Sequence, residues 1–233
     1  MKLWLMMTTA EQVFAIDDMN EEGGYLGAMT YQCVFSPILD RLKAANMDNP
    51  AGVASINRLR STLKNSEQTS PSFLYDVMRI LLTESELNVN LQESFLRLQA
   101  NASLEDLEIP QYPNVAEFQE LSARAIALRR VLSRVPEEMS DRRTFLETIR
   151  EIASSIKKLL DATNAVIQVV PQSHQQAVER RKREFVHYSK GFSNTLKDFF
   201  RNQNATQVSV SANQLIFQTM QIVRTVRDKA RQP

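Results

Sequence analysis

The stretch FLETIREIASSIKKLL, residues 145–160, decides the fold of the second half of the chain. Its apolar side chains recur at intervals of three and four residues, which places them on one face of a helix. These positions are Phe145, Ile149, Ile152, Ile156 and Leu159. A helix with one apolar face must bury that face against other elements. The stretch therefore predicts a long helix that packs into a larger helical core.

Three further stretches of the second half have the same periodicity. The first extends from Phe118 to Val135, the third carries Phe185 and Phe192, and the fourth ends near Val226. Four amphipathic helices joined by short links are typical of an up-and-down four-helix bundle. No pair of strands is convincing in the sequence. We therefore expect an all-α protein.

The first half contains shorter helical patterns, interrupted at Asn49-Pro50 and Ser70-Pro71. Several of these helices are apolar on more than one face. A single small helical layer cannot bury that much apolar surface. We therefore expect residues 28–106 to form a helical dimerisation domain. A compact monomeric helical domain is the alternative.

Composition also predicts the domain boundaries. Residues 107–116 contain two prolines and are expected to link residues 28–106 to the bundle at 117–233. Residues 1–116 hold 8 Lys+Arg against 15 Asp+Glu, and residues 117–233 hold 20 against 12. This asymmetry favours two modules with different partners, although the halves could instead neutralise each other. Residues 1–27 are expected to be a poorly ordered tail.

The sequence shows no pattern typical of catalysis. His174, His187 and Cys33 lack the spacing of zinc ligands, and there is no glycine-rich phosphate loop. We therefore expect an adaptor that is not an enzyme and uses no metal or cofactor. A lone cysteine excludes an internal disulfide and favours a cytoplasmic protein. No apolar run is long enough to span a bilayer.

Two of the predicted bundle helices carry the same pattern of basic and small residues. On each helix a basic, a small and a second basic residue stand at i, i+3 and i+7, and each follows by one residue a position of the helix seam that is expected to face the core. If the two helices are neighbours, these six residues line a shallow groove with small residues on its floor and cations along both rims. The groove residues are Arg150, Ala153, Lys157, Lys190, Ser193 and Lys197.

Such a groove fits an amphipathic helix with acidic edges. The edges of four apolar residues are expected to add contact area: Ile149, Ile156, Val186 and Leu196. A solvated basic flank with no ligand is the alternative. A second basic cluster, Arg180, Arg181, Lys182 and Arg183, suits anionic lipid headgroups such as phosphoinositides. Aromatic side chains are not interleaved with it, so we expect no nucleic acid partner.

Several of these stretches resemble one known family. They include VLSRVPEE at 131–138, YSK at 188–190 and VSAN at 210–213. These motifs are similar to the programmed cell death protein 10 family, also called the cerebral cavernous malformation protein 3 family. The match covers nearly all of residues 117–228 and extends more weakly over residues 28–100. Arg150 stands where the family usually has lysine, and Thr62 stands where it has a smaller residue.

The resemblance implies an N-terminal dimerisation domain followed by a focal-adhesion-targeting homology bundle. It implies that the N-terminal domain forms homodimers and prefers heterodimers with germinal centre kinase III subfamily kinases. The dimer positions that it implies are Leu59, Thr62, Leu81 and Leu82. For the bundle it implies binding of striatin and of LD-type helices, as in paxillin and the cerebral cavernous malformation 2 protein. Its groove positions fall on the six residues named above. The location implied is cytoplasmic, with association with the Golgi and the plasma membrane.

Overall fold

The computed structural model describes residues 24–230, without the side chains of Gln68, Lys229 and Ala230. All regular secondary structure in this range is helical, which confirms the predicted fold class. The expected tail at 1–27 lies mostly outside the described residues, but residues 24–27 belong to a helix. Within the described range, no helix is both long enough and apolar enough to cross a membrane.

The chain divides into two compact units, Met1–Val89 and Asn90–Pro233. The described part of the first unit contains α1 (24–30), a π-helical segment (Tyr31–Phe35), α2 (Ser36–Ala45), α3 (Pro50–Thr69) and α4 (Phe73–Glu84). The second contains α5 (Leu91–Leu98), a 3-10 turn (Gln99–Asn101), α6 (Ala116–Ser133), α7 (Val135–Glu138), α8 (Arg142–Val169), α9 (Gln172–Asn202) and α10 (Ala205–Ala230).

In the first unit, α3 packs against both α2 and α4. Pro50 opens α3, where its missing N–H is not needed, and the Asn49 side chain accepts a hydrogen bond from the Gly52 N–H at 3.0 Å. Gly27 of α1 lies so close to the main-chain oxygen of Pro71 that a β-carbon there would clash. Glycine at this position therefore lets α1 lie against the turn that precedes α4.

The second unit is built around a four-helix bundle. Helix α6 packs against α8, α8 against α9, α9 against α10, and α10 against α6. Successive helices are neighbours and short segments connect them, as the sequence predicts for an up-and-down bundle. The periodic apolar positions form the core: Phe145, Ile152, Leu159 and Val166 of α8 are all buried.

Polar side chains in this core bond to the helix that carries them. Thr163 and Thr219 are buried, and each donates a hydrogen bond of 2.8 Å to the carbonyl four residues earlier, that of Leu159 and Leu215 respectively. A buried hydroxyl with a partner avoids the desolvation cost of an unpaired one. These threonines therefore occupy the core without weakening it through unsatisfied polar groups.

The division between the units lies at Val89 and Asn90, earlier than the linker expected at 107–116. Leu107 and Ile109 are buried, and the Gln119 side chain donates to the main-chain oxygens of Ile109 at 3.3 Å and Tyr112 at 3.1 Å. Residues 107–116 therefore pack onto the bundle. The prolines prevent a helix there, but a helix break and a domain boundary are separate properties.

Helix α5 likewise belongs to the second unit, although the sequence placed it in the dimerisation domain. The Asn213 amide of α10 donates to the Gln92 main-chain oxygen at 2.7 Å. The Asn90 amide donates to the Thr206 hydroxyl at 2.9 Å. Both bonds join residues more than a hundred positions apart, which is why the local pattern around α5 did not indicate them.

Candidate peptide-binding surface

The candidate surface lies on α8 and α9, which form an antiparallel pair. Only Val170 and Pro171 separate the end of α8 at Val169 from the start of α9 at Gln172. So short a connection makes the two helices neighbours that run in opposite directions. Their lengths of 28 and 31 residues give a long shared surface.

Helix α8 begins at a well-formed cap. The Asp141 carboxylate accepts hydrogen bonds from the Arg143 N–H at 2.8 Å, the Thr144 N–H at 3.5 Å and the Thr144 hydroxyl at 3.1 Å. These bonds hold the pKa of Asp141 below its usual value because they favour the charged carboxylate, and the bond from the Arg143 main chain has the largest effect. The cap orients the first turn of α8, and this turn forms one end of the candidate surface.

Aromatic contacts set the register between the two helices. The Phe145 ring lies 5.4 Å from the Phe199 ring and 5.9 Å from the Phe200 ring, measured between centroids. The start of α8 is therefore level with the last turn of α9. Positions further along α8 can be matched with positions earlier in α9 by counting from these rings.

Counted in this way, the six predicted groove residues fall into three pairs at similar heights. Arg150, Ala153 and Lys157 follow Phe145 by five, eight and twelve residues. Lys197, Ser193 and Lys190 precede Phe200 by three, seven and ten residues. At about 1.5 Å per residue, the members of each pair are level to within roughly 3 Å. Basic residues are therefore level with each other at both ends of the set, and Ala153 is level with Ser193 between them.

The same contacts show which face of α9 turns toward α8. Phe200 follows half-buried Phe199 by one residue, just as Ser193 and Lys197 follow buried Phe192 and Leu196. Because Phe200 also contacts Phe145 of α8, this face of α9 points toward α8. All six predicted groove residues are exposed to solvent. The three groove residues of α9 therefore lie at the surface on the side of α9 that turns toward α8.

The rim cations have no acidic partners within the described range. No Asp or Glu carboxylate of residues 24–230 lies within 4.0 Å of the side-chain nitrogens of Arg150, Lys157, Lys190 or Lys197. The Lys197 ammonium does donate to the neutral Asn194 side chain at 3.4 Å. The positive charge along this surface is therefore not neutralised by ion pairs from the described residues.

Apolar side chains border the surface, with one correction to the prediction. Ile149, Ile156 and Val186 are half-buried, so each presents an edge to solvent. Leu196 is only 6% exposed and belongs to the bundle core. It follows core position Phe192 by four residues and therefore stays on the inward face of α9.

The sequence analysis did not identify two exposed apolar side chains at the end of the candidate surface nearest Phe145. Leu146 is 39% exposed and Phe200 is 42% exposed. Each follows a position of the apolar stripe by one residue, buried Phe145 or half-buried Phe199, which is the offset that the groove residues share. That offset is the signal that could have identified them, but the search was for basic and small residues only.

The second basic cluster, at 180–183, differs from the groove rims because it is tied into ion pairs. Glu184 pairs with Arg180 at 2.9 Å and with Arg181 at 2.7 Å. Arg183 lies 4.0 Å from Glu179. Four consecutive residues also point in four directions around a helix, about 100° apart, so they do not form one continuous basic face.

The predicted dimer positions lie on α3 and α4 of the first unit. Leu59 is 48% exposed, Leu81 is 54% exposed, Thr62 is exposed, and Leu82 is half-buried. Further large apolar side chains of this unit are exposed as well, namely Ile38, Leu42, Met47, Phe73, Ile80 and Leu87. So much exposed apolar surface is unusual for a monomer and is typical of a protein–protein interface.

Comparison with known proteins agrees with this architecture. Residues 23–88 match the family model "Programmed cell death protein 10, dimerisation domain", and residues 89–179 match "Programmed cell death protein 10, C-terminal". The point where the two matches meet agrees with the division between the compact units. A Caenorhabditis elegans protein named "Programmed cell death protein 10 homolog" is 62% identical over 213 residues, which is 91% of this chain and 99% of the relative. The chain belongs to the programmed cell death protein 10 family.

Proposed function

We propose that this protein is a non-catalytic adaptor that joins two kinds of partner. Its first unit heterodimerises with germinal centre kinase III kinases and forms homodimers when these kinases are absent. Its bundle binds striatin and LD-type acidic amphipathic helices, such as those of paxillin-like and cerebral cavernous malformation 2-like proteins. The adaptor thereby links the kinases to the striatin phosphatase–kinase complex.

The dimerisation half of the proposal is supported by the family match and by exposed leucines. Residues 23–88 match a dimerisation domain, and Leu59 and Leu81 of this segment are about half exposed. Each large apolar side chain that a partner covers contributes roughly 1.5–3 kcal/mol. The kinase family named as partner comes from the resemblance of the motifs. Adding a kinase C-terminal tail should convert homodimers to heterodimers, as measured by light scattering after size-exclusion chromatography.

The binding of an acidic helix by the bundle is supported above all by the four cations around Ala153 and Ser193, which have no acidic partner among residues 24–230. An acidic amphipathic helix can lay its apolar residues over these small side chains while its carboxylates meet the rims. Solvent-exposed ion pairs contribute only ~0.2–1 kcal/mol each. Apolar burial therefore supplies most of the affinity, and charge sets orientation and association rate. We expect a dissociation constant on the order of micromolar for one short helix.

The test is charge reversal on one rim of the groove in the full-length protein. We expect Lys190→Asp with Lys197→Asp to abolish binding of a fluorescent LD-type peptide, measured by anisotropy. Helical circular dichroism should remain unchanged, because both side chains are exposed. Unchanged affinity in this variant would reject the groove.

Arg180→Asp with Lys182→Asp is the matched control, since it reverses two charges on the same helix at positions that do not continue the groove face. We expect this control variant to bind the peptide normally. The control variant also tests the alternative function, in which the protein is a peripheral membrane module that binds phosphoinositides through the cluster at 180–183. The ion pairs to Glu179 and Glu184 weigh against that reading. The membrane reading would be favoured if the wild-type protein floats with liposomes only when they contain phosphoinositides, and the control variant does not float with them.

A further inference from the structure

Ser193 is exposed, and its hydroxyl differs from the neighbouring hydroxyls of α9 in its bonding. The Ser189 hydroxyl donates to the main-chain oxygen of Val186 at 2.9 Å. The Thr195 hydroxyl donates to the main-chain oxygen of Gly191 at 3.1 Å. The Ser193 hydroxyl forms no hydrogen bond within the part of the chain that the structure describes. Of the three, it is therefore the one open to a modifying enzyme.

Two lysines of α9 stand where they can pair with an anionic group on Ser193. Lys190 precedes Ser193 by three residues and Lys197 follows it by four, and such positions are neighbours on a helix surface. Neither ammonium group has a carboxylate within 4.0 Å among residues 24–230. A phosphate on Ser193 would therefore form charge-assisted hydrogen bonds to both lysines of its own helix.

A glycine two residues before Ser193 weakens α9 at this point. Gly191 lies in the interior of a 31-residue helix, where glycine is less stable than alanine. A β-carbon at position 191 would meet no atom within 4 Å outside its own part of the helix, so packing does not require the glycine. Protein kinases bind their substrates in an extended form, and a weak point in the helix lowers the cost of that local opening.

The residues around Ser193 also suit a kinase that selects basic substrates. Kinases distinguish their substrates partly by the pattern of charges around the reactive hydroxyl. When the segment is extended, Lys190 stands three residues upstream of Ser193. This arrangement fits an enzyme that has acidic side chains beside its substrate-binding cleft.

We infer that Ser193 is a phosphorylation site of a basophilic serine/threonine protein kinase, and that phosphorylation closes the groove to acidic helices. In this step the Ser193 Oγ bonds to the γ-phosphorus of ATP, and the bond from that phosphorus to the β,γ-bridging oxygen breaks. ADP leaves, and the hydroxyl proton passes to a base of the kinase. The phosphate adds a charge of about −1.5 to −2 at neutral pH. The inference rests on the proposed function of the bundle.

Phosphoserine at this position opposes an acidic helix in two ways. Its charge repels the carboxylates of the ligand and pairs with Lys190 and Lys197, so this rim is no longer cationic. The phosphate also replaces a small side chain with a large hydrated group, which the apolar face of the ligand would have to desolvate. Phosphorylation therefore acts as a switch on peptide binding that leaves the fold of the bundle intact.

Protein that carries phosphoserine at position 193, installed by genetic code expansion, tests the closure directly. We expect the full-length phosphoprotein to bind a fluorescent LD-type peptide at least about tenfold more weakly than the wild type, measured by anisotropy. Phosphatase treatment of the same sample should restore the wild-type affinity. Phosphoserine in place of Ser173 is the matched control, since Ser173 is also exposed on α9 but lies about 30 Å away. This control should bind normally.

The outcomes separate the switch from the groove itself. If phosphoserine at position 193 leaves the affinity unchanged while Lys190→Asp with Lys197→Asp abolishes binding, the switch is disproved and the groove stands. If the unmodified wild type does not bind the peptide, both are rejected.

A second experiment tests the modification. Full-length wild type and Gly191→Ala are incubated with ATP and an extract of the cells that express the protein, and mass spectrometry quantifies phosphate on Ser193. We expect Gly191→Ala to react about two- to fivefold more slowly, because alanine stabilises the helix without a steric clash. Wild type that acquires no phosphate on Ser193 would overturn the assignment of the site. Equal rates would overturn the role of Gly191 in opening α9.

Discussion

The guanidinium of Arg129 in α6 donates a hydrogen bond of 2.9 Å to the main-chain oxygen of Ala102 and one of 2.8 Å to that of Ser103. Arg129 is only 4% exposed, so the two carbonyls have a charged partner inside the protein. Hydrogen bonds to a charged group in a desolvated position are stronger than those at the surface. The arginine thus fastens the segment after α5 onto the bundle.

Arg129→Leu should destabilise the second unit, because it leaves these carbonyls without their charged donor. We expect a loss of roughly 2–4 kcal/mol in the free energy of unfolding, measured by urea denaturation. Amide hydrogen exchange should increase in residues 102–107. Arg130→Leu, at the exposed neighbouring position, should change stability by less than about 0.5 kcal/mol. Equal losses for both variants would show that the two hydrogen bonds contribute little.

Leu81→Asp with Leu82→Asp should prevent dimerisation, because a buried unpaired carboxylate is strongly unfavourable in an apolar interface. Light scattering should then report a mass near 26.7 kDa, that of a single chain. Leu98→Asp with Leu104→Asp makes the same changes at exposed leucines of the second unit and should leave the dimer intact. A dimer that persists in the first variant would place the interface elsewhere.

Ala153→Leu should weaken binding of an LD-type peptide by tenfold or more without any change in charge. The larger side chain raises the groove floor and keeps the apolar face of the ligand away from the bundle. Ala165→Leu is the matched control, since Ala165 is also exposed but lies twelve residues, about 18 Å, further along α8. Normal affinity in Ala153→Leu, measured by fluorescence anisotropy, would contradict a floor at this position.

Asp141 should make the stability of α8 depend on pH in the acid range. Its pKa is lowered in the folded protein from an ordinary value of 3.8. The stabilisation is therefore complete above pH 3.8 and is lost as pH falls through the lower folded-state pKa. Asp141→Asn retains a capping side chain that does not titrate. In thermal melting, the difference in melting temperature between the wild type and this variant should decrease only below about pH 3.8.

Neighbouring residues determine helix formation, and for this reason the sequence alone predicted the bundle helices. The spacing of Phe145, Ile152 and Leu159 requires one buried face wherever the helix packs. The same reasoning identified the six groove residues as one face of each helix. It also indicated that the first half has more apolar surface than it can bury, in agreement with the exposure of Leu59 and Leu81.

Only the tertiary structure decided which residues share a unit and which surfaces face each other. The boundary at Val89 depends on bonds such as Asn213 to Gln92, and periodicity carries no information about such distant pairs. The register of α8 and α9 depends on the Phe145–Phe200 contact, which brings the start of α8 level with the end of α9. Local spacing determines the orientation of a side chain on its own helix, whereas the packing of helices determines what it meets.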